Sequence, residues 1–196
     1  MSRPSRGHGR GLRVVAGEIG GLPLVAPRGE RTRPTAGRVK EALFAALGPQ
    51  RLEGASVLDG YAGSGALAIE ALSRGARHAM LVDRDASAVE AIRRNLRSTG
   101  LKDRARVQRR TLSAFLRDRP PHEAPFDLVL LDPPYDLATN ELSTVLDELA
   151  SPGWLARGAV VVLEQASVAA PPPLPAGWEA RWERVYGDTL VRILGP

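Results

Sequence analysis

The chain has 196 residues, 43% apolar and 25% charged, a balance typical of a globular domain and too polar for a membrane protein. No apolar run approaches the roughly 20 residues of a spanning helix, and Met1 to Arg10 has no apolar segment typical of a secretory signal, so we expect a cytoplasmic protein. The absence of cysteine excludes disulfides, thiolate metal sites and cysteine nucleophiles, and three dispersed histidines predict no metal site.

Basic residues concentrate in two stretches of a chain whose formal charge is +5. Residues 1–38 hold eight arginines against two glutamates, and residues 93–110 hold eight basic residues against one aspartate. Such patches attract polyphosphates, and we predict a nucleic-acid contact for the first. For the second, a solvated surface remains an equal alternative, because nearly all basic residues of the chain are arginine and this can reflect genome composition.

The N-terminal part is predicted to be a tail followed by a small extension. Residues 1–11 are almost devoid of apolar side chains and cannot contribute to a core, so order is expected from Leu12. Two short apolar runs at 13–16 and 22–25 flank Gly20-Gly21, which predicts a hairpin. A helix follows, with Thr35 as N-cap and Gly48-Pro49 as its stop. We therefore divide the chain into a tail (1–11), an extension (12–50) and a main domain (51–196).

From Ala55 onward, short apolar runs alternate with helical patterns, which is typical of βαβ units around a parallel sheet. The predicted strands are 55–59, 78–83, 104–108, 127–131 and 159–164. The predicted helices are 65–74, 86–98, 111–117 and 138–150. Segments 178–185 and 189–194 flank a Tyr-Gly-Asp turn and predict a terminal antiparallel pair.

A glycine loop, Asp59-Gly60-Tyr61-Ala62-Gly63-Ser64-Gly65, closes the first of these strands. Glycines without a Cβ let backbone amides at a helix N-terminus approach a ligand closely. Asp83 ends the next strand, where a carboxylate can accept both hydroxyls of a ribose, whereas Asp85 is interpreted as a helix cap. The arrangement predicts a nucleotide-like cofactor.

An NAD-dependent oxidoreductase is one alternative, because Gly63, Gly65 and Ala68 fit the dinucleotide pattern Gly-x-Gly-x-x-Ala. Two features favour a different cofactor. Asp59 would repel a pyrophosphate but suits an ammonium group, and no histidine or tyrosine-lysine arrangement indicates hydride chemistry.

Asp132-Pro133-Pro134-Tyr135 closes a later apolar run, and its prolines fix the backbone after the strand. An exocyclic amine of a nucleobase is a poor nucleophile. A carboxylate and a backbone carbonyl that each accept one N–H can orient its lone pair, and a tyrosine can stack on the base. We take Asp132, Pro133 and Tyr135 as catalytic candidates for methylation of such an amine. The alternative is a plain turn with a surface tyrosine.

The motifs that identify the chain most specifically are spread from Arg13 onward. They are Arg13-Val14-Val15-Ala16-Gly17, Arg33-Pro34-Thr35 with Arg38-Val39-Lys40-Glu41, Ala62-Gly63-Ser64-Gly65-Ala66-Leu67, Glu70-Ala71-Leu72-Ser73-Arg74-Gly75-Ala76 and the Asp132 loop. On these motifs the chain resembles class I S-adenosylmethionine-dependent methyltransferases, and within them the bacterial 16S ribosomal RNA guanine-N2 methyltransferases of the RsmD type.

The resemblance implies a Rossmann-like α/β fold: a mostly parallel seven-stranded sheet with a C-terminal antiparallel pair and an N-terminal hairpin and helix. It implies S-adenosylmethionine as cofactor and no metal. The residues implied to bind it are Asp59, Tyr61, Ala62, Gly63, Ser64, Gly65, Asp83, Thr111 and Leu112. Those implied to bind RNA are Arg13, Arg33, Thr35 and Arg38. The expected substrate is a guanine of 16S ribosomal RNA, within a partly assembled small subunit.

Two departures from the family pattern concern the cofactor site. Arg110 stands where the family has an acid that contacts adenine, so a backbone contact near Thr111 is the substitute. Gly60-Tyr61 replaces a larger apolar residue and phenylalanine. Two further alternatives are a DNA adenine-N6 or cytosine-N4 methyltransferase, which would use the same amine-binding loop, and a non-catalytic RNA-binding module.

Overall fold

A computed structural model of the chain describes residues 11–29, 36–134, 137 and 139–196. Its centre is a seven-stranded sheet in the order β3-β2-β1-β4-β5-β7-β6. The strands are β1 Ser56–Gly60, β2 His78–Asp83, β3 Ala105–Arg109, β4 Phe126–Leu131, β5 Leu155–Ala166, β6 Glu179–Tyr186 and β7 Thr189–Gly195. The first five are parallel, and β7 runs antiparallel to both of its neighbours. The predicted fold class is confirmed.

Helices cover both faces of the sheet. They are α1 Ala36–Leu47, α2 Ala66–Ser73, α3 Ala86–Ser98, α4 Leu112–Leu116 and α5 Thr139–Leu149. One apolar core contains α1, α2 and α3 side chains, and the other contains those of α4 and α5. Since the central strands are covered on both sides, β1 and residues 128–131 of β4 are buried without alternation. Among the described residues, no helix has the length and apolar character required to cross a membrane.

The strand boundaries agree with the predicted ones to within a residue, except at β5. This strand begins at Leu155 instead of residue 159. Its first four residues include Arg157 and Gly158, so they carry no apolar run that could indicate a strand. The strand nevertheless begins there, because Leu155 aligns with Phe126 of β4 before a register shift.

The predicted hairpin consists of one antiparallel bridge between Arg13 and Pro23. Two backbone hydrogen bonds flank it, from Val14 N to Leu22 O at 3.0 Å and from Leu24 N to Leu12 O at 2.8 Å. These bonds make Arg13 and Pro23 a non-hydrogen-bonded pair, in which each backbone N faces away from the partner, so the missing N–H of proline removes no bond between the two segments. The hairpin is short, and its position depends on contacts with the main domain.

Those contacts centre on Glu70, a fully buried residue of α2. Its carboxylate accepts the N–H groups of Val15 at 2.7 Å and Ala16 at 3.0 Å. Lys40 Nζ of α1 lies 3.1 Å from Glu70 Oε2, and Arg74 Nε lies 2.8 Å from Glu70 Oε1. Burial opposes the charge of Glu70, but the Val15 N–H, Lys40 and Arg74 together lower its pKa. One ionised carboxylate thus joins the hairpin, α1 and α2.

Candidate active site

A cleft of about 620 Å³ opens at the carboxyl ends of the parallel strands. The chain runs from β1 outward through β2 to β3, and then returns to β4 on the other side of β1. Ligands of open α/β sheets bind where the strand order reverses in this way. The glycine loop follows β1 and the Asp132 loop follows β4, so the two loops meet at this point.

The cleft brings together most of the residues predicted from the sequence. Those that line it are Asp59, Tyr61, Ala62, Gly63, Ser64, Asp83, Thr111, Leu112, Asp132 and Pro133. Gly65 is absent from the lining: a Cβ there would lie 2.9 Å from Leu81 and 3.3 Å from Ile92, and its φ is +75°. The glycine is therefore required for packing of the loop on β2 and α3.

The glycine loop is held against the end of β2 by Asp83. Its Oδ2 accepts the Gly63 N–H at 2.8 Å, and its Oδ1 accepts the Asp85 N–H at 2.8 Å. Each carboxylate oxygen has a second lone pair, so Asp83 can still accept hydroxyl groups of a ligand. Asp85 caps α3, as predicted, by accepting the N–H groups of Ser87 and Ala88.

Asn95 of α3 connects the loop to the N-terminal segment. Its Nδ2 donates to the carbonyls of Ser64 and Val25, both at 2.9 Å, and its Oδ1 accepts the Val25 N–H at 2.8 Å. The side chain is buried. A single amide therefore fixes the backbone on both sides of it.

Asp59 lies buried beneath the glycine loop and accepts the Ala68 N–H at 3.0 Å. Burial raises the pKa of this carboxyl well above its ordinary value; the Ala68 hydrogen bond opposes that shift, and the charges of Asp132 and Asp83 add to it. Three carboxyl groups thus act on one another at the base of the cleft. A cationic ligand group there would relieve their repulsion.

The whole cleft is acidic, although the chain carries a net positive charge. Six carboxylates and two arginines line it: Asp59, Asp83, Asp85, Asp132, Glu141 and Glu164, with Arg84 and Arg110. This lining favours a ligand that carries ammonium or sulfonium groups and disfavours the pyrophosphate of a dinucleotide.

Gly60 and Tyr61, one of the two departures from the family pattern, are accommodated by neighbouring side chains. A Cβ on Gly60 would lie 2.6 Å from Leu112 and 3.0 Å from Leu131, so these leucines fill the space of a larger residue. Tyr61 has a left-handed φ of 62°. Burial, with a smaller contribution from Glu141, raises the pKa of Tyr61 to about 12, so its phenol is neutral at pH 7.

Arg110, the other departure, is directed along α4. Its guanidinium donates to Asp118 at 2.7 Å and also to the Ala114 carbonyl. Thr111 caps the same helix by accepting the Ala114 N–H at 3.2 Å. The arginine is thus fixed at the rim, and Thr111 and Leu112 remain at the cleft as the predicted substitute contacts.

Sequence reasoning did not identify Glu164 of β5 or Thr189 of β7, which both line the cleft. Glu164 had a recognisable signal. It follows the buried apolar run 160–163, just as Asp132 follows the run in β4. The same rule of strand ends that indicated Asp132 therefore also applies to Glu164.

The predicted RNA-binding residues are only partly described. Arg13 and Arg38 are both exposed, and Val39, next to Arg38 in α1, lines the cleft. Lys40 donates to the Arg13 carbonyl at 2.7 Å, which places the hairpin beside α1. The predictions for Arg33, Thr35 and Tyr135 fall outside the described residues.

Comparison with known proteins gives consistent matches over nearly the whole chain. The family described as "Conserved hypothetical protein 95" matches residues 12–195. Ribosomal RNA small subunit methyltransferase D of Escherichia coli K12 is 33% identical over 193 residues, covering 98% of this chain and 94% of that protein. The protein of the same name from Haemophilus influenzae is 32% identical over 183 residues, covering 93% and 92%.

Solved structures agree with these matches. The yhhF protein of E. coli superposes with a TM-score of 0.82 at 32% identity and covers 93% of this chain and 96% of its own. A hypothetical protein of Thermus thermophilus gives a TM-score of 0.74 at 32% identity, with coverage of 92% and 97%.

Proposed function

Because the chain belongs to the family described as Conserved hypothetical protein 95, that of the small-subunit ribosomal RNA methyltransferases D, we propose that it methylates 16S ribosomal RNA. The methyl donor is S-adenosylmethionine and the acceptor is the exocyclic N2 of a guanine. The observation that supports this most directly is the single acidic cleft that contains both Asp132 and Gly63.

The residues around the glycine loop fit the proposed cofactor. S-adenosylmethionine supplies an electrophilic methyl on a sulfonium, and it also carries an ammonium group and a ribose. In this proposal, Asp59 and the loop backbone at 62–64 surround the methionine part, and Asp83 accepts the ribose hydroxyls. Thr111 and Leu112 contact the adenine.

The Asp132 loop binds the acceptor. The Asp132 carboxylate and a loop carbonyl each accept one N–H of the guanine amine, which turns the nitrogen lone pair toward the methyl. The proton that the nitrogen loses passes to Asp132 or to water. Catalysis then consists mostly of positioning, with proton acceptance as a smaller contribution.

The extension formed by residues 12–50 is proposed to bind RNA beside the cleft. Exposed Arg13 and Arg38 contribute positive charge there, together with Arg33 and Thr35. The proposed partner is 16S ribosomal RNA within an assembling small subunit, in the cytoplasm.

The test maps methylated guanines by mass spectrometry in small subunits from cells that contain wild-type protein, Asp132→Ala or no protein. We expect one N2-methylguanine to disappear in both deficient strains. Purified Asp132→Ala should lose roughly 10²–10⁴-fold in methyl transfer while cofactor affinity stays near wild type. Asp147→Ala, on the exposed side of α5, is the matched control. A methylated adenine or cytosine, or full activity of Asp132→Ala, would contradict the proposal.

A further inference from the structure

The wall of the cleft beyond Asp132 is formed by β5 and β7. Glu164, half-buried, and Thr189 both line the cleft there. Neither residue belongs to the glycine loop or to the Asp132 loop, so the proposed cofactor contacts and amine contacts leave them without a role.

The sheet register places Glu164 beside Asp132. Leu131 of β4 is aligned with Leu163 of the parallel strand β5, and each carboxylate follows its leucine by one residue. Adjacent strands lie about 4.8 Å apart, so the two carboxylates are neighbours at the end of the sheet. A ligand group bound by Asp132 is therefore within reach of Glu164.

Strand alternation defines which face Glu164 occupies. Val162, two residues earlier, packs in the same core as Val39 of α1. Thr189 is aligned with Ala166, two residues after Glu164, and so lies on the same face. Glu164 thus projects into the part of the cleft between Asp132 and α1.

We propose that Glu164 determines the choice of base by accepting the N1–H of the target guanine while Asp132 binds the adjacent exocyclic amine. This inference rests on the proposed function and specifies its substrate. Guanine presents two adjacent donors on this edge, N1–H and the N2 amine. Adenine and cytosine present a lone pair beside their exocyclic amine, and a carboxylate repels it. The Asp132 loop alone could bind the exocyclic amine of any of these bases, and Glu164 restricts the substrate to guanine.

The size of the effect follows from the chemistry of a charged hydrogen bond. Loss of such a bond corresponds to about a 10- to 100-fold change in kcat/KM. Discrimination between bases is expected to be of similar size, because a base without the N1–H cannot form this hydrogen bond.

The experiment uses small-subunit RNA in which the mapped guanine is replaced by 2-aminopurine. This base keeps the exocyclic amine, but its N1 is an acceptor. Wild-type protein should methylate it about 10- to 100-fold less efficiently than guanine. Glu164→Leu, which has no acceptor, should lose about 10- to 100-fold on guanine but little on 2-aminopurine. Glu164→Gln should narrow the preference for guanine, because its carbonyl still accepts the guanine N1–H without the charge and its amide can donate to the N1 of 2-aminopurine.

Two controls separate base recognition from a structural effect. Glu90→Gln, exposed on α3 and outside the cleft, should retain wild-type kcat/KM on both bases. The thermal unfolding temperature and the S-adenosylhomocysteine affinity of Glu164→Gln and Glu164→Leu should match those of wild type.

Two outcomes would overturn the inference while the proposed function stands. One is guanine methylation by Glu164→Leu at the wild-type rate, and the other is an equal loss of Glu164→Leu activity on guanine and on 2-aminopurine. Absence of guanine methylation by the wild-type protein would instead refute the proposed function itself.

Discussion

Glu70 is a single carboxylate on which the hairpin, α1 and α2 all depend. Glu70→Gln removes its charge and leaves Lys40 buried with no charge partner among these contacts. Removal of one partner from a buried pair typically costs about 3–5 kcal/mol, and we expect a loss of this size in urea unfolding at pH 7.

The pH dependence of that loss has a defined sign. Because the pKa of Glu70 is lowered in the fold, its carboxylate contributes stability above its unfolded pKa of roughly 4.3. The contribution disappears as the pH falls through the lowered folded value, so wild type and Glu70→Gln should converge in acid. Glu90→Gln, an exposed change, should shift stability by less than about 0.5 kcal/mol at every pH. A constant difference between wild type and Glu70→Gln would show that the carboxylate does not titrate as described.

That Asp132, Asp83 and the glycine loop around Gly63 would meet at one cleft could be predicted from the sequence, because strand ends are local signals. Each follows a short apolar run, and parallel strands bring their carboxyl ends to one edge. The role of Glu70 was not predictable in this way, since its partners Val15 and Lys40 are far away in the chain. Gly65 is a residue for which a sequence motif suggests more than the structure places at the cleft. Its presence in a cofactor motif suggested ligand contact, whereas Leu81 and Ile92 explain it by packing.

Helix α1 exposes Arg38, which is predicted to bind RNA. Arg38→Gln removes one positive charge next to Val39, which lines the cleft. We expect weaker RNA binding, and a salt dependence whose log–log slope falls by roughly 0.7–0.9 if one phosphate contact is lost. This slope is measured by titrating the protein with small-subunit RNA at salt concentrations from about 50 to about 200 mM.

Arg157→Gln is the matched control for that titration. Arg157 is exposed in the first part of β5, at the end of the sheet opposite the cleft, near Gly54 and Asp127. It should leave the slope unchanged. If both variants behave alike, RNA does not bind preferentially beside α1.

Among the elements, the helices, the central strands and the antiparallel pair of β6 and β7 followed from local sequence patterns, but the pairing of β7 with β5 did not. β7 lies between β5 and β6 although it comes last in the chain. Either β6 or β7 could have paired with β5, and no local sequence pattern specifies that β7 does so. The register of the hairpin, which places Pro23 opposite Arg13, is likewise not specified by the local sequence.

For the whole molecule, ligand binding should stabilise the fold in proportion to affinity. S-adenosylhomocysteine at 100 times its Kd should add about 2.7 kcal/mol, which corresponds to roughly 5–11 °C in a domain of this size. The acidic cleft should give NAD no comparable effect. Asp83→Ala should reduce the shift with S-adenosylhomocysteine, because it removes the proposed ribose acceptor. Stabilisation by NAD alone would favour an oxidoreductase.

Asn95 gives the molecule a direct mechanical link between its two proposed binding surfaces. Its amide holds Ser64, in the loop assigned to the methyl donor, and Val25, in the segment that leads toward the RNA-facing helix. A displacement of either backbone stretch therefore acts on the hydrogen bonds of the amide that also holds the other. We therefore expect a ligand that moves the loop at Ser64 to move the backbone at Val25 as well, so that methyl-donor binding and RNA binding influence one another.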